Sequence, residues 1–154
     1  MEYVVVKWLH VLSSTILFGT GIGSAYYLLT ASLNRDARNA YLVVRNVVRA
    51  DWLFTTPAIV FQPLSGYYLA HIAGMTFESR WMSWSLLLYL LAAGCWLPVI
   101  WLQIRMRELA RGATEASAAL PQLYWRYFRI WVALGVPALI ALIAVFYLMI
   151  AKPA

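Results

Sequence analysis

Residues 4–23 read VVVKWLHVLSSTILFGTGIG, an apolar run long enough to cross a bilayer that nevertheless carries Lys7 and His10. A span takes about 20 mostly apolar residues. Backbone N–H and C=O groups in hydrocarbon must bond within their own segment, so such a run is a helix. Working outward, the run extends over about Tyr3 to Ala31, and three more follow. They cover about Trp52 to Ala73, Trp81 to Ile104 and Phe128 to Ile150. The expected fold is all-α, an integral membrane four-helix bundle forming a single transmembrane domain over residues 1–154.

Composition agrees with that reading. The chain is 64% hydrophobic and 12% charged, against about 25% charged in ordinary soluble domains. Aromatic residues, including eight Trp, gather at the ends of the apolar runs, as interfacial anchors do. The formal charge of +6 does not point to nucleic acid, because the arginines sit between the apolar runs. Cys95 is the only cysteine, which excludes an intrachain disulfide and the cysteine-based zinc spacings. No Ser-His-Asp arrangement, H-E-x-x-H or Walker loop occurs. No Asp or Glu lies deep in a span, which argues against a carboxylate-driven pump. The start, MEYVVV, has no basic region ahead of its apolar stretch, so no cleavable signal peptide is expected.

Loop charge sets the expected direction. Arg35, Arg38, Arg45 and Arg49 lie between the first and second runs. Arg105, Arg107, Arg111, Arg126 and Arg129 lie between the third and fourth. Lys7, Arg80 and Lys152 fall on the other side. This asymmetry places both arginine-bearing loops inside and both termini on the outer, periplasmic side of a bacterial inner membrane. Both inner connections have room for short amphipathic helices. In the first, Tyr41, Leu42, Val44, Val47 and Val48 share a helical face suited to the interface. The outer turn GMTFESR is short, so the second and third spans are expected to be antiparallel neighbours.

The groups able to carry chemistry lie mostly toward the outer half. On a helix Lys7, His10, Ser14, Leu17 and Gly21 share one face, which should turn to the bundle. His10 sits roughly 10 Å along the axis from Tyr3, too deep for imidazole to reach the interface, whereas Lys7 can snorkel there. Three readings stay open for His10: a neutral imidazole bonded to a neighbouring helix, a metal or haem ligand, or a proton relay. His71 lies at the same outer end. Two imidazoles from facing helices hold a b-type haem, with Lys7 or Arg80 near its propionates. An ideal helix opposes His71 to Gln62, whose face runs through Thr55 and Ser65 or Gly66, so His71 tends outward unless Pro57 and Pro63 bend the helix. Met75, Met82 and Met149 with His71 offer a thioether–imidazole set suited to Cu(I). At the inner side Asp51 stands among Arg45, Arg49, Arg105, Arg126 and Arg129, as an ion-pair cluster or an anion site. Gly19 and Gly23 have GxxxG spacing, which permits a homo-oligomer.

The segments KWLHVLSSTILFGTGIGSAYYL, DWLFTTPAIVFQPLSGYYLA, LPVIWLQIRMRELA and YFRIWVALGVPALIALIAVFYLMIAKP resemble a bacterial family of four-span membrane proteins of unknown function. More distantly, the Lys7-Trp8-Leu9-His10 start of the first span is similar to that of HemJ-type protoporphyrinogen oxidases and of CopD-type membrane domains. The former similarity implies haem binding at His10. That family also uses a lysine in a later span, and here no lysine lies between Lys7 and Lys152. The expected function is a small redox protein with a b-type haem on His10, with or without His71. It would exchange electrons with a quinone, a porphyrin-like reductant or a partner protein. The alternatives are a non-catalytic membrane subunit or scaffold and a copper-handling protein.

Overall fold

The computed structural model describes residues 1–74 and 79–153. Five α-helices and one π-helical turn follow in order: α1 (Glu2–Leu33), α2 (Ala37–Ala50), the π turn (Asp51–Thr55), α3 (Thr56–Ile72), α4 (Arg80–Glu115) and α5 (Gln122–Ala151). The described residues contain no strand. α1, α4 and α5 are each long and apolar enough to cross a membrane. α3 has 17 residues and continues the π turn without a break, so the two together make the remaining long segment. Most of the turn GMTFESR, with Met75, lies outside the described residues.

Helix ends are set by local chemistry. The Asp36 carboxylate accepts from the Arg38 backbone N–H at 3.0 Å and caps α2. α4 closes in a Schellman motif: Ser117 takes positive φ, its N–H donates to the Thr114 carbonyl, and Ala118 N–H donates to the Ala113 carbonyl. The π turn ends two residues before Pro57, which has no N–H to bond the Leu53 carbonyl one turn back. Pro63 likewise leaves the Ile59 carbonyl without its helical donor. The Tyr89 hydroxyl of α4 donates to that carbonyl at 2.5 Å, tying α4 to α3.

α1 packs along α3 and α4 along α5, while α2 lies against both α1 and α4. Phe18 meets Phe146 edge to face at 5.2 Å where α1 touches α5. Glu2 accepts from the Tyr68 hydroxyl near the end of α3, and Lys152 lies over the Trp81 ring at the start of α4. The first and last residues of the helical array therefore share one end. The nine arginines between the apolar runs occupy the other.

The tightest packing is at that arginine-rich end. Val44, Met106, Ala110 and Tyr124 are fully buried there, with Leu28, Ala40, Leu102, Phe128 and Trp131 in the same cluster. The apolar face of α2 runs through Ala37, Ala40, Val44, Val47 and Val48 and is buried, whereas Leu42 is exposed. The second connection carries no separate amphipathic helix. Instead α4 itself runs on to Glu115, because Met106, Ala110 and Ala113 keep a buried stripe while Glu108, Arg111 and Glu115 pair along the outside. By contrast, only 6% of the most apolar stretches of α1 and α5 is buried within the chain, which leaves them facing lipid.

Ser32 and Tyr124 are both completely buried and share a hydrogen bond of 2.7 Å between the end of α1 and the start of α5. Burial pushes the Tyr124 phenol above its ordinary value, so it stays a neutral hydrogen-bonding group. Tyr124→Phe strands the Ser32 hydroxyl and is expected to cost about 1–3 kcal/mol. The double variant with Ser32→Ala should cost little more than Tyr124→Phe alone. Reversible unfolding in mixed micelles measures both; additive losses would mean that the two groups are not coupled.

Candidate functional site

A polar stripe along α3 and its π turn faces the rest of the bundle. Asp51, Thr55, Gln62 and Ser65 are all buried and recur at the three- and four-residue steps that keep one helix face, with buried Ala58 between Thr55 and Gln62. At its arginine-rich end Thr55 Oγ1 donates to Asp51 Oδ1 at 2.8 Å. Gln103 of α4 is buried against the same carboxylate, and its own carbonyl oxygen has no hydrogen-bond partner. Asp51 makes no ion pair with an arginine among the described residues, contrary to the expectation of an ion-pair cluster. The arginines rest on aromatic rings instead: Arg35 on Trp125, Arg45 on Tyr41 and Arg105 on Trp101.

At the other end the stripe meets His10. Gln62 Nε2 donates to the backbone carbonyl of His10 at 2.8 Å. His10 Nδ1 lies 2.7 Å from Ser65 Oγ, and Ser65 Oγ lies 2.7 Å from the Phe61 carbonyl. Two oxygens at that separation need a proton between them, and only the Ser65 hydroxyl can supply it to a carbonyl. That proton is thereby committed, so the one between His10 and Ser65 belongs to Nδ1. Nε2 then carries the imidazole lone pair, and among the described residues nothing donates to it. Gly66 lies beside the ring, where an added Cβ would be 3.4 Å from Cε1. A larger side chain would crowd the ring edge that leads to Nε2.

The other expected site residues are placed apart from this contact. His71 is exposed and stacked parallel on Tyr67 at 6.4 Å. It follows Ser65 by six residues, which on a helix turns it away from the face that holds His10. Lys7 is exposed, with its ammonium 5.9 Å from the Tyr3 ring centre, one turn nearer the chain start than His10. Arg80 is exposed at the first position of α4. Among the described residues no three His, Cys, Asp or Glu side chains gather as a metal site. Among the described residues nothing lies within 4 Å of where a Cβ on Gly19 or Gly23 would stand, so their GxxxG face is open to them. Tyr89 and Gln103 were not singled out from the sequence. The carbonyl that Pro63 frees, and an amide inside an apolar run, are the signals that mark them.

A helical array with lipid-facing spans and one anchored imidazole between two of them defines an integral membrane protein. The model of a family described as predicted integral membrane protein (DUF2269) matches residues 4–153, and the chain belongs to that family. No curated protein and no solved structure matches it.

The tautomer is directly measurable. Nitrogen-15 NMR of the labelled protein in bilayers should show His10 with a protonated Nδ1 and an unprotonated Nε2. Ser65→Ala should remove that preference and leave the ring free to turn. An Nε2–H tautomer in the unaltered protein would refute the assignment.

Proposed function

We propose that this protein is a membrane redox carrier in which His10 Nε2 would hold a b-type haem at the end of the bundle opposite the nine loop arginines. The observation that carries the proposal is the anchored imidazole, bonded through Nδ1 and with its Nε2 lone pair unengaged. Ligating histidines take this form because the second-shell bond fixes both tautomer and ring orientation. The donor set fits haem iron, for which imidazole is a common axial ligand. Gly66 packs beside the ring without a side chain, its place for a Cβ being 3.4 Å from Cε1.

A bound haem would supply one-electron chemistry, with a quinone or porphyrin-like molecule as the exchange partner. The chain's own part is to hold the ligand and set its surroundings. Ser65 keeps Nδ1–H engaged, and Gln62 pins the backbone that carries the ring. Lys7, exposed one turn along α1, would give a propionate a cationic partner, and Arg80 is a second cation at that end. The proposal rests on His10 alone as protein ligand, since His71 occupies a different face of α3.

A second reading is favoured by the same two hydrogen bonds. His10–Ser65 and Gln62–His10 join α1 to α3 at two points, which is what a purely structural latch in a non-catalytic subunit would require. Absorption spectra separate the two. Protein purified from haem-replete cells, or titrated with haemin, should show a stoichiometric Soret band that sharpens on reduction. His10→Ala should abolish or shift the band, and His71→Ala should leave it unchanged. A flat visible spectrum would overturn the haem reading and leave the latch.

A further inference from the structure

We infer that the arginine-rich end carries a specific site for one anionic phospholipid, in the groove where α2, the π turn and α4 meet. The groove is open and shallow, offers about 480 Å³, and is lined by Val48, Arg49, Trp52, Leu53, Ile104 and Arg107. Two arginines thus line a furrow that is otherwise apolar. That is the chemistry of a phosphate diester attached to hydrocarbon, because a guanidinium fork binds phosphate oxygens in pairs.

The charges needed for this are available. Arg49 is exposed and forms no ion pair with any described residue. Arg107 spends Nε and Nη2 on one oxygen of Glu108, and its Nη1 makes no hydrogen bond to the described residues. Glu108, whose carboxyl Arg107 holds below its usual range, is shared with Arg111 as well, so it does not neutralise the groove. The nearby Asp51 is buried and bonded to Thr55.

The apolar half is equally defined. Trp52 and Leu53 are 58% and 67% exposed, large side chains at the level where the arginines end. Leu53 also begins a second furrow of about 450 Å³ between α1 and α3, bordered by Leu12, Ile16, Pro57 and Phe61. The two furrows share Leu53, so the acyl chain of a lipid whose phosphate lies at Arg49 and Arg107 would run past Trp52 and over Leu53. Neutral or zwitterionic lipid would fill the furrow without matching both cations.

Native mass spectrometry of the detergent-solubilised full chain tests this with added phosphatidylglycerol and phosphatidylcholine. One phosphatidylglycerol should be retained in preference to phosphatidylcholine. The double variant Arg49→Gln/Arg107→Gln should lose roughly tenfold to thirtyfold in that preference. Arg126→Gln/Arg129→Gln, an equal change of charge at the same end, should keep it. Equal retention of both lipids, or an equal loss in the two variants, would overturn the site in favour of diffuse attraction. Release of the lipid by millimolar inorganic phosphate would overturn the acyl path. Phosphatidylglycerol with a photoreactive acyl chain checks the unaltered protein: adducts should concentrate on Trp52 and Leu53, and an even spread over α5 would refute the proposal.

Discussion

The burial of α2 is the constraint on which the rest of the structure depends. It has 14 residues, too few and too charged to cross a bilayer, yet its Ala and Val face must leave water. The partner it finds is α4, through Met106 and Ala110, with Leu28 of α1 closing the side. That demand explains the length of α4: its 36 residues reach about 54 Å, well beyond an apolar core of about 30 Å. The excess is the platform for α2. Because α2 runs straight into the π turn and α3, and because Tyr124 locks α5 to Ser32, one packed region at the arginine-rich end fixes how the long helices set out from it.

Inside the membrane the balance of forces is different. Lipid tails solvate Leu and Val as well as a neighbouring helix does, so apolar contact does little to choose partners there. What distinguishes one helix position from another is the satisfaction of polar groups. Pro63 frees a carbonyl and Tyr89 meets it. The buried Gln62 finds the His10 carbonyl, and the buried Ser65 finds the imidazole. These few contacts bind α1 and α4 to α3, while the most apolar stretches of α1 and α5 face mostly outward. A site made this way depends on the state of one histidine, because the same ring both joins helices and presents a lone pair.

The sequence exposes this architecture unevenly, and for physical reasons. Apolar length identifies α1, α4 and α5 directly, and the polar stripe of α3 is visible as Thr55, Gln62 and Ser65 at helical steps. The amphipathic face of α2 is also visible, but not its partner, since periodicity says which side is apolar and not what covers it. The continuation of α4 to Glu115 was hidden by its arginines, which read as a loop until the buried stripe at Met106, Ala110 and Ala113 is seen beneath them. Asp51 beside Arg45 and Arg49 looks like an ion pair in the sequence. It turns instead to Thr55, because the π turn rotates it onto the buried face. His10 is conspicuous in the sequence, whereas its tautomer depends on a serine 55 residues away and could not be read there.

The two ends of the molecule thus have separable chemistries. From Trp52 to Ser65 is 13 residues of helix, about 20 Å, most of an apolar core. The arginine groove lies at the end that is already rigidly packed, so a lipid bound there joins a preformed surface and has little ordering left to do. The histidine lies at the end where the helices are held by single hydrogen bonds, and there a ligand on Nε2 would add a contact that the chain itself lacks. Tight packing at one end and a sparsely held imidazole at the other are consequences of one sequence choice, the placing of nearly all the compact packing at the arginine-rich end. A protein built this way gathers its nine loop arginines at its packed end and leaves the Nε2 lone pair of its anchored imidazole unengaged by the described residues.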